Sequence, residues 1–164
     1  MIFSKILVPL DGSPVSEQAI RHAESALPVG GEITLFSVVS LPEFYATLDA
    51  PYPVMMVPHN TTEQLDAEIK GTHEYLETLA EALRRKGLTV YTEVKVGEPI
   101  TLLREIGHKY DAIVMSTHGR NALGRLLYGS VTRALISNAP CPIIVIPAEK
   151  TRNVEIHEPQ PTIV

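Results

Sequence analysis

Cysteine is almost absent from this chain of 164 residues, and that absence excludes two classes of structure. Cys141 is the single cysteine, so neither an intrachain disulfide nor a cysteine-based zinc site can form. The six histidines show no metal-ligand spacing. We therefore expect no disulfide scaffold and no side-chain metal site.

Long apolar runs, a leader segment and an excess of basic charge are also missing. No apolar stretch approaches the ~20 residues needed to span a bilayer, and residues 1–5 lack the charged start and apolar core of a signal peptide. Asp and Glu outnumber Lys and Arg by 19 to 14, a formal net charge of −5, whereas affinity for nucleic acid depends on clustered basic residues. We expect a cytoplasmic protein that binds neither membranes nor nucleic acid.

The length and composition of the chain suit one globular domain. We place that domain at residues 1–147, followed by a polar C-terminal tail at 148–164. Residues 41–60 interrupt it with four prolines among aromatic and methionine side chains. Such a long segment without helix or strand is typically functional or mobile. It could lie over a ligand, contact a partner subunit, or tuck onto its own domain, and the sequence leaves these open.

Hydrophobic periodicity predicts five strands alternating with four helices. Pro14 opens the first helix after an N-cap at Ser13, residues 61–64 form a capping box for the second, and the third begins at residues 97–99. The alternation indicates a parallel sheet with helices on both faces. If the first and fourth strands are neighbours, the order is 3-2-1-4-5, and their following loops form the ligand crevice. The strands are predicted at residues 5–10, 33–39, 88–96, 112–115 and 143–146.

A glycine-containing loop follows the fourth strand and leads into the fourth helix. Backbone N–H groups and the positive end of a helix dipole favour anions at such a position. Residues 112–148 contain no Asp or Glu but include Arg120, Arg125 and Arg133. The pattern indicates a phosphate site; the alternative is an ordinary strand–helix connection.

Two common nucleotide motifs do not match this loop. Gly124 and Gly129 have the Walker A glycine spacing, but Ser130 stands where the phosphate-binding lysine would be. No G-x-G-x-x-G fingerprint follows any predicted strand. His118 has no legible Ser–His–Asp arrangement, so no catalytic residue is predicted.

Four stretches resemble the universal stress protein family, UspA-like: residues 6–13, 97–99, 111–119 and 129–131. The nucleotide-binding branch of that family carries G-x2-G-x9-G-[S/T], which here has Ser116 as its first position. The resemblance implies the order 3-2-1-4-5, a homodimer through residues 143–146, and ATP or AMP at the crevice, with Mg²⁺ accompanying ATP. A side chain at 116 obstructs close backbone approach, so we expect weakened or re-angled binding.

The resemblance also implies which residues bind each part of the nucleotide. The adenosine end would be lined by Pro9, Leu10, Asp11 and Val38. The ribose and phosphates would be held by Ser116, Thr117, His118, Gly119, Arg120 and Asn121. The distal phosphates would be held by Gly129, Ser130, Val131 and Thr132.

Two functions remain open at this point. One is a nucleotide-binding stress or signalling module whose ligand is regulatory, with at most slow hydrolysis because no general base or lysine clamp is evident. The other is a nucleotide-free dimeric interaction module of the same fold. Asp11 has two interpretations as well: an acceptor for ribose or adenine, or a residue that closes an Asx-turn.

Overall fold

The computed structural model describes residues 3–40, 61–117 and 130–147. The predicted segments 41–60 and 148–164 lie outside these ranges. In chain order, the described residues form β1 (Lys5–Pro9), α1 (Pro14–Ala26), β2 (Glu32–Val39), α2 (Thr61–Arg84), β3 (Thr89–Val96), α3 (Pro99–Gly107), β4 (Ala112–Ser116), α4 (Ser130–Ser137) and β5 (Ile143–Ile146). The predicted elements are all present, and their ends differ from the predicted ones by at most three residues.

The five strands form one parallel sheet in the order β3-β2-β1-β4-β5, as predicted. Leu7 of β1 pairs with Thr34 of β2 on one side and with Ile113 of β4 on the other. β1 is therefore central, and the strand order reverses between β1 and β4. A crevice is expected at the carboxyl ends of these two strands.

Alternating side chains of the strands enter two separate cores, one on each face of the sheet. Ile6 and Val8 of β1 pack in a cluster with α1 and α2, which includes Ala19 and Leu76. Leu7 packs on the opposite face in a cluster with side chains of α3 and α4. The sheet thus carries two helices on each face.

Asp111 joins β1 and β4 at their amino ends. Its Oδ2 accepts hydrogen bonds from the backbone N–H groups of Ser4 at 2.7 Å and Lys5 at 2.9 Å, and these bonds lower the pKa of the carboxyl group. Its own N–H donates to the carbonyl of Lys5 at 2.9 Å. This connection aligns the strands whose opposite ends carry the predicted site.

The helix α2 is not buried evenly along its length. Leu76, Ala80 and Leu83 are buried, but Leu65 and Ile69, whose spacing places them on the same face of the helix, are only half-buried. No helix in the described ranges 3–40, 61–117 and 130–147 is long and apolar enough to cross a membrane.

Candidate functional site

The loop after β1 is organised by its own side chains. Asp11 Oδ1 accepts hydrogen bonds from the backbone N–H of Ser13 at 3.0 Å and from its hydroxyl at 2.6 Å, while Gly12 adopts a φ of 77° between them. Ser13 Oγ in turn accepts from the N–H of Ser16 at 3.1 Å and caps α1. Asp11 therefore closes the turn, which was one of its two interpretations, and the residue is exposed just beyond the carboxyl end of β1.

The apolar side of the predicted site lies between β1 and β2. Leu10 is buried, and its N–H continues the ladder by donating to the carbonyl of Phe36 at 2.8 Å. Val38 is half-buried against the second core cluster, and Pro9 ends β1 half-buried. The buried Ser37 donates its hydroxyl to the carbonyl of Leu10 at 2.9 Å. Sequence reasoning missed Ser37, although a lone serine within the apolar strand 33–39 was the available signal.

The carboxyl end of β4 meets the first turn of α4. Ser116 is buried, and its carbonyl accepts from the hydroxyl of Thr132, also buried, at 3.4 Å. Thr117 donates its N–H to the carbonyl of Ile146 at 2.9 Å. Ser130 is exposed, and Val131 packs half-buried on the second core cluster. Residues from the two motif halves on either side of the loop are therefore brought together.

The helix N-termini at this edge of the sheet differ in charge. At α3, the Glu98 carboxylate accepts from the N–H groups of Ile100 at 3.0 Å and Thr101 at 2.6 Å. Hydrogen bonds from the hydroxyl and N–H of Thr101 and the N–H of Ile100 lower the pKa of Glu98. The first turn of α1 contains Glu17, whereas the first turn of α4 contains no acidic residue. A helix N-terminus attracts negative charge. A carboxylate of the chain itself lies at the N-termini of α1 and α3, whereas the first turn of α4 has none, so this N-terminus can attract an external anion.

The opposite end of α4 is held by a cation from α3. The guanidinium of Arg104 donates to the carbonyl of Ala134 at 2.8 Å. This carbonyl lies in the last turn of α4, where C=O groups lack intrahelical partners and the dipole is negative. α4 has no basic residue of its own in that turn. Arg104 thus fixes the helix whose N-terminus faces Ser116.

Five predicted site residues lie outside the described ranges: His118, Gly119, Arg120, Asn121 and Gly129. The other nine lie at the carboxyl ends of β1, β2 and β4 or in the first turn of α4. Across the described part of the chain, no group of three or more His, Cys, Asp or Glu side chains could hold a metal ion.

Comparison with known proteins identifies the family. The model of the universal stress protein family matches residues 3–147. Universal stress protein MJ0531 of Methanocaldococcus jannaschii is 30% identical over 154 residues, covering 91% of this chain and 85% of that protein.

Solved structures share the architecture. Hypothetical protein MJ0577 superposes with a TM-score of 0.77 at 24% identity, covering 92% of this chain and 100% of its own. A universal stress protein in complex with cAMP has a TM-score of 0.59 at 17% identity and covers 91% and 100% of the two chains. An Arabidopsis thaliana family protein with AMP bound has a TM-score of 0.58 at 16% identity and covers 89% and 92%. At these identities the structures establish a common fold, and the match of the family model over nearly the whole chain shows that it belongs to the universal stress protein family.

Proposed function

We propose that this protein binds an adenine nucleotide, ATP or AMP, as a regulatory ligand at the carboxyl ends of β1 and β4. The observation that carries the proposal is the first turn of α4, which adjoins Ser116 and contains no carboxylate. Its N–H groups would hold phosphate oxygens, and Leu10 and Val38 would contact the base. The relatives with AMP and cAMP bound support the same ligand class.

The chemistry of the remaining residues fits such a ligand. Asp11 offers carboxylate oxygens, which accept hydrogen bonds from ribose hydroxyls. Mg²⁺ would accompany ATP as a counter-ion of its phosphates. His118, Gly119, Arg120, Asn121 and Gly129 remain proposed contacts on the basis of the family motif. We propose that the nucleotide acts through binding, and we assign no residue to its hydrolysis.

A denatured sample of freshly purified protein, analysed by mass spectrometry, tests whether an adenine nucleotide co-purifies. A thermal scan with ATP–Mg²⁺, AMP and cAMP then tests binding directly. A ligand at 100 times its Kd adds about 2.7 kcal/mol to the free energy of unfolding, which for a chain of this size raises Tm by roughly 5–11 °C. If no adenine nucleotide co-purifies and no ligand shifts Tm at millimolar concentration, the proposal is refuted.

The second candidate is a nucleotide-free interaction module, and Ser116 is the observation that favours it. A buried serine stands where the family motif has glycine, and a side chain there reduces the clearance for a phosphate. Ser116→Gly separates the two candidates. If the parent protein is a nucleotide-free module, nucleotide should raise the Tm of the Ser116→Gly variant but not that of the parent protein. If the parent protein binds nucleotide, both should show the Tm shift.

We propose a homodimer through β5 for either candidate. Ile143 packs on one core cluster and Ile144 on the other, so this strand is apolar on both faces. It pairs with β4 on one side and is the last strand of the sheet formed by the described residues. An exposed apolar edge favours association with a second chain. Analytical ultracentrifugation should give a dimer mass, and Val145→Lys should shift it to monomer; a monomeric parent protein would contradict the dimer.

A further inference from the structure

The amino-terminal part of the second helix runs past the carboxyl end of β1. Tyr75 of α2 donates its hydroxyl to Oε1 of Glu17 at 2.9 Å, and burial, followed by the Glu17 carboxylate, raises the pKa of this tyrosine. Glu17 lies in the first turn of α1, directly beyond the carboxyl end of β1. Tyr75 is therefore level with the carboxyl end of β1, while β2 and β3 continue together for three more residues, to Val39 and Val96. Thr61 lies 14 positions before Tyr75, which corresponds to about 21 Å along the helix axis.

The first three turns of α2, residues 61–72, are here named the α2 extension. Leu65, Ile69 and Thr72 are its partly buried positions, while residues 62–64, 66–68, 70 and 71 are exposed. Their spacing of four and three residues places them on one face, in line with the buried Leu76. Leu65 and Ile69 belong to neither core cluster formed by the described residues. The extension thus presents an apolar stripe to something other than the described core.

A tertiary contact would add stability to this end of the helix, although the packed part of α2 already nucleates it. Isolated helices shorter than about 12–15 residues are marginal in water, and Gly71 costs up to ~1 kcal/mol relative to alanine in a helix. A Cβ built on Gly71 would meet no atom within 4 Å, so close packing does not explain the glycine. A contact along the stripe would offset the cost of this glycine.

The segment attached to the extension has the composition to cover it. Residues 41–60 join Ser40, at the end of β2, directly to Thr61. Twenty residues reach up to roughly 66 Å when extended, whereas the 12 residues of the α2 extension span about 18 Å, so the chain can run along the helix and return. Nine of its residues are large and apolar: Leu41, Phe44, Tyr45, Leu48, Tyr52, Val54, Met55, Met56 and Val57.

We propose that residues 41–60 dock on the Leu65–Ile69–Thr72 stripe of their own chain. The contact is apolar, because the stripe contains no charged side chain and the segment carries only Glu43 and Asp49. A tether of this length holds the two surfaces at millimolar effective concentration, which favours the intrachain contact over a second copy. The docking needs no nucleotide, so it can fail or hold independently of the proposed function.

Site-specific photo-crosslinking tests the contact in the full-length protein. A benzophenone amino acid at position 69 should, on illumination, crosslink within one chain to peptides from residues 41–60, as mapped by mass spectrometry. The matched control is position 67, an exposed alanine on the opposite side of the same helix, where the yield should be several-fold lower. Crosslinks to a second chain, crosslinks to residues 118–129, or equal yields at 67 and 69 would overturn the proposal.

Hydrogen exchange provides a second test that needs no crosslinker. The pair Met55→Ser and Met56→Ser should increase the exchange rates of amides 65–72 several-fold, while those of residues 76–84 in the same helix stay unchanged. Asp49→Asn, which removes no apolar area, is the control and should leave both groups unchanged. Unaltered exchange at 65–72 in the double variant contradicts the docking.

Discussion

Ser130→Asp separates the proposed phosphate-binding role of α4 from its structural role. Ser130 is exposed at the start of the helix, so an aspartate fits there without repacking. A carboxylate at a helix N-terminus stabilises the folded protein by about 0.3–1 kcal/mol through the dipole. The same carboxylate repels a phosphate at that position. The variant should therefore be at least as stable as the parent protein and bind nucleotide more weakly.

The loss of binding follows from the distance between the two charges. An anion seated on the first turn lies about 5 Å from the new carboxylate, and Coulomb's law gives about 0.8 kcal/mol of repulsion in water and about 3.3 kcal/mol at an effective dielectric constant of 20. These energies correspond to roughly 4-fold and roughly 250-fold in Kd. The measured loss should fall between these limits and shrink with added salt.

The matched control is Ser137→Asp in the last turn of the same helix. Ser137 is also exposed, and it lies about 10 Å from Ser130 along the axis, roughly one Debye length at moderate salt. It should change the free energy of unfolding by less than about 1 kcal/mol and leave the nucleotide Kd nearly unchanged. Isothermal titration calorimetry and chemical denaturation measure the two quantities. Equal Kd values for parent and Ser130→Asp proteins would refute a phosphate at this helix.

Two further predictions concern stability. Gly107→Ala should lower the free energy of unfolding by about 1–3 kcal/mol, because the added Cβ would lie 2.4 Å from Cγ of Pro140. Gly71→Ala is the control: its Cβ meets no atom within 4 Å, and the change should raise the free energy of unfolding by about 0.5–1 kcal/mol. Equal effects of the two changes in urea denaturation would contradict the close packing of Gly107 against Pro140. Glu98→Gln should destabilise at neutral pH, because the carboxylate with its lowered pKa caps α3. A group with a lowered folded-state pKa contributes stability above its unfolded pKa, near 4.3 for Glu, and this stability is lost as the pH falls through the folded-state pKa. The difference in stability between parent and variant should therefore be full above about pH 4.3 and decrease as the pH is lowered below it; a pH-independent difference in thermal unfolding would count against this cap.

Most of the fold could be predicted because its signals are local. Alternating apolar runs and helical spacing are read within short windows, and the right-handed βαβ rule restricts how such units connect. The order 3-2-1-4-5 required one extra assumption, that the first and fourth strands are neighbours. The structure supplies it through the pairing of Ile6 with Ala112 and through the hydrogen bonds that the N–H groups of Ser4 and Lys5 donate to the Asp111 carboxylate. Those contacts join residues more than 100 positions apart, beyond the reach of any local pattern.

The candidate site, too, could be predicted from the sequence only in part. Charge patterning alone located the segment without acidic residues between 112 and 148. It did not distinguish the helix N-termini, since the self-capping of α3 by Glu98 depends on a side-chain conformation. The role of Arg104 at the far end of α4 was likewise hidden, because the two helices meet only in the folded chain.

The sequence by itself determined the type and order of the elements, the family and the acid-free segment, because each depends on neighbouring residues. It treats Leu65 and Leu76 alike, as two members of one apolar stripe. Only the tertiary structure separates them: Leu76 is buried in the core cluster that contains side chains of β1 and α1, whereas Leu65 is half-buried and belongs to neither cluster of the described residues. Burial depends on which elements lie against each position of a helix, and that is decided only when the helix and the sheet pack together.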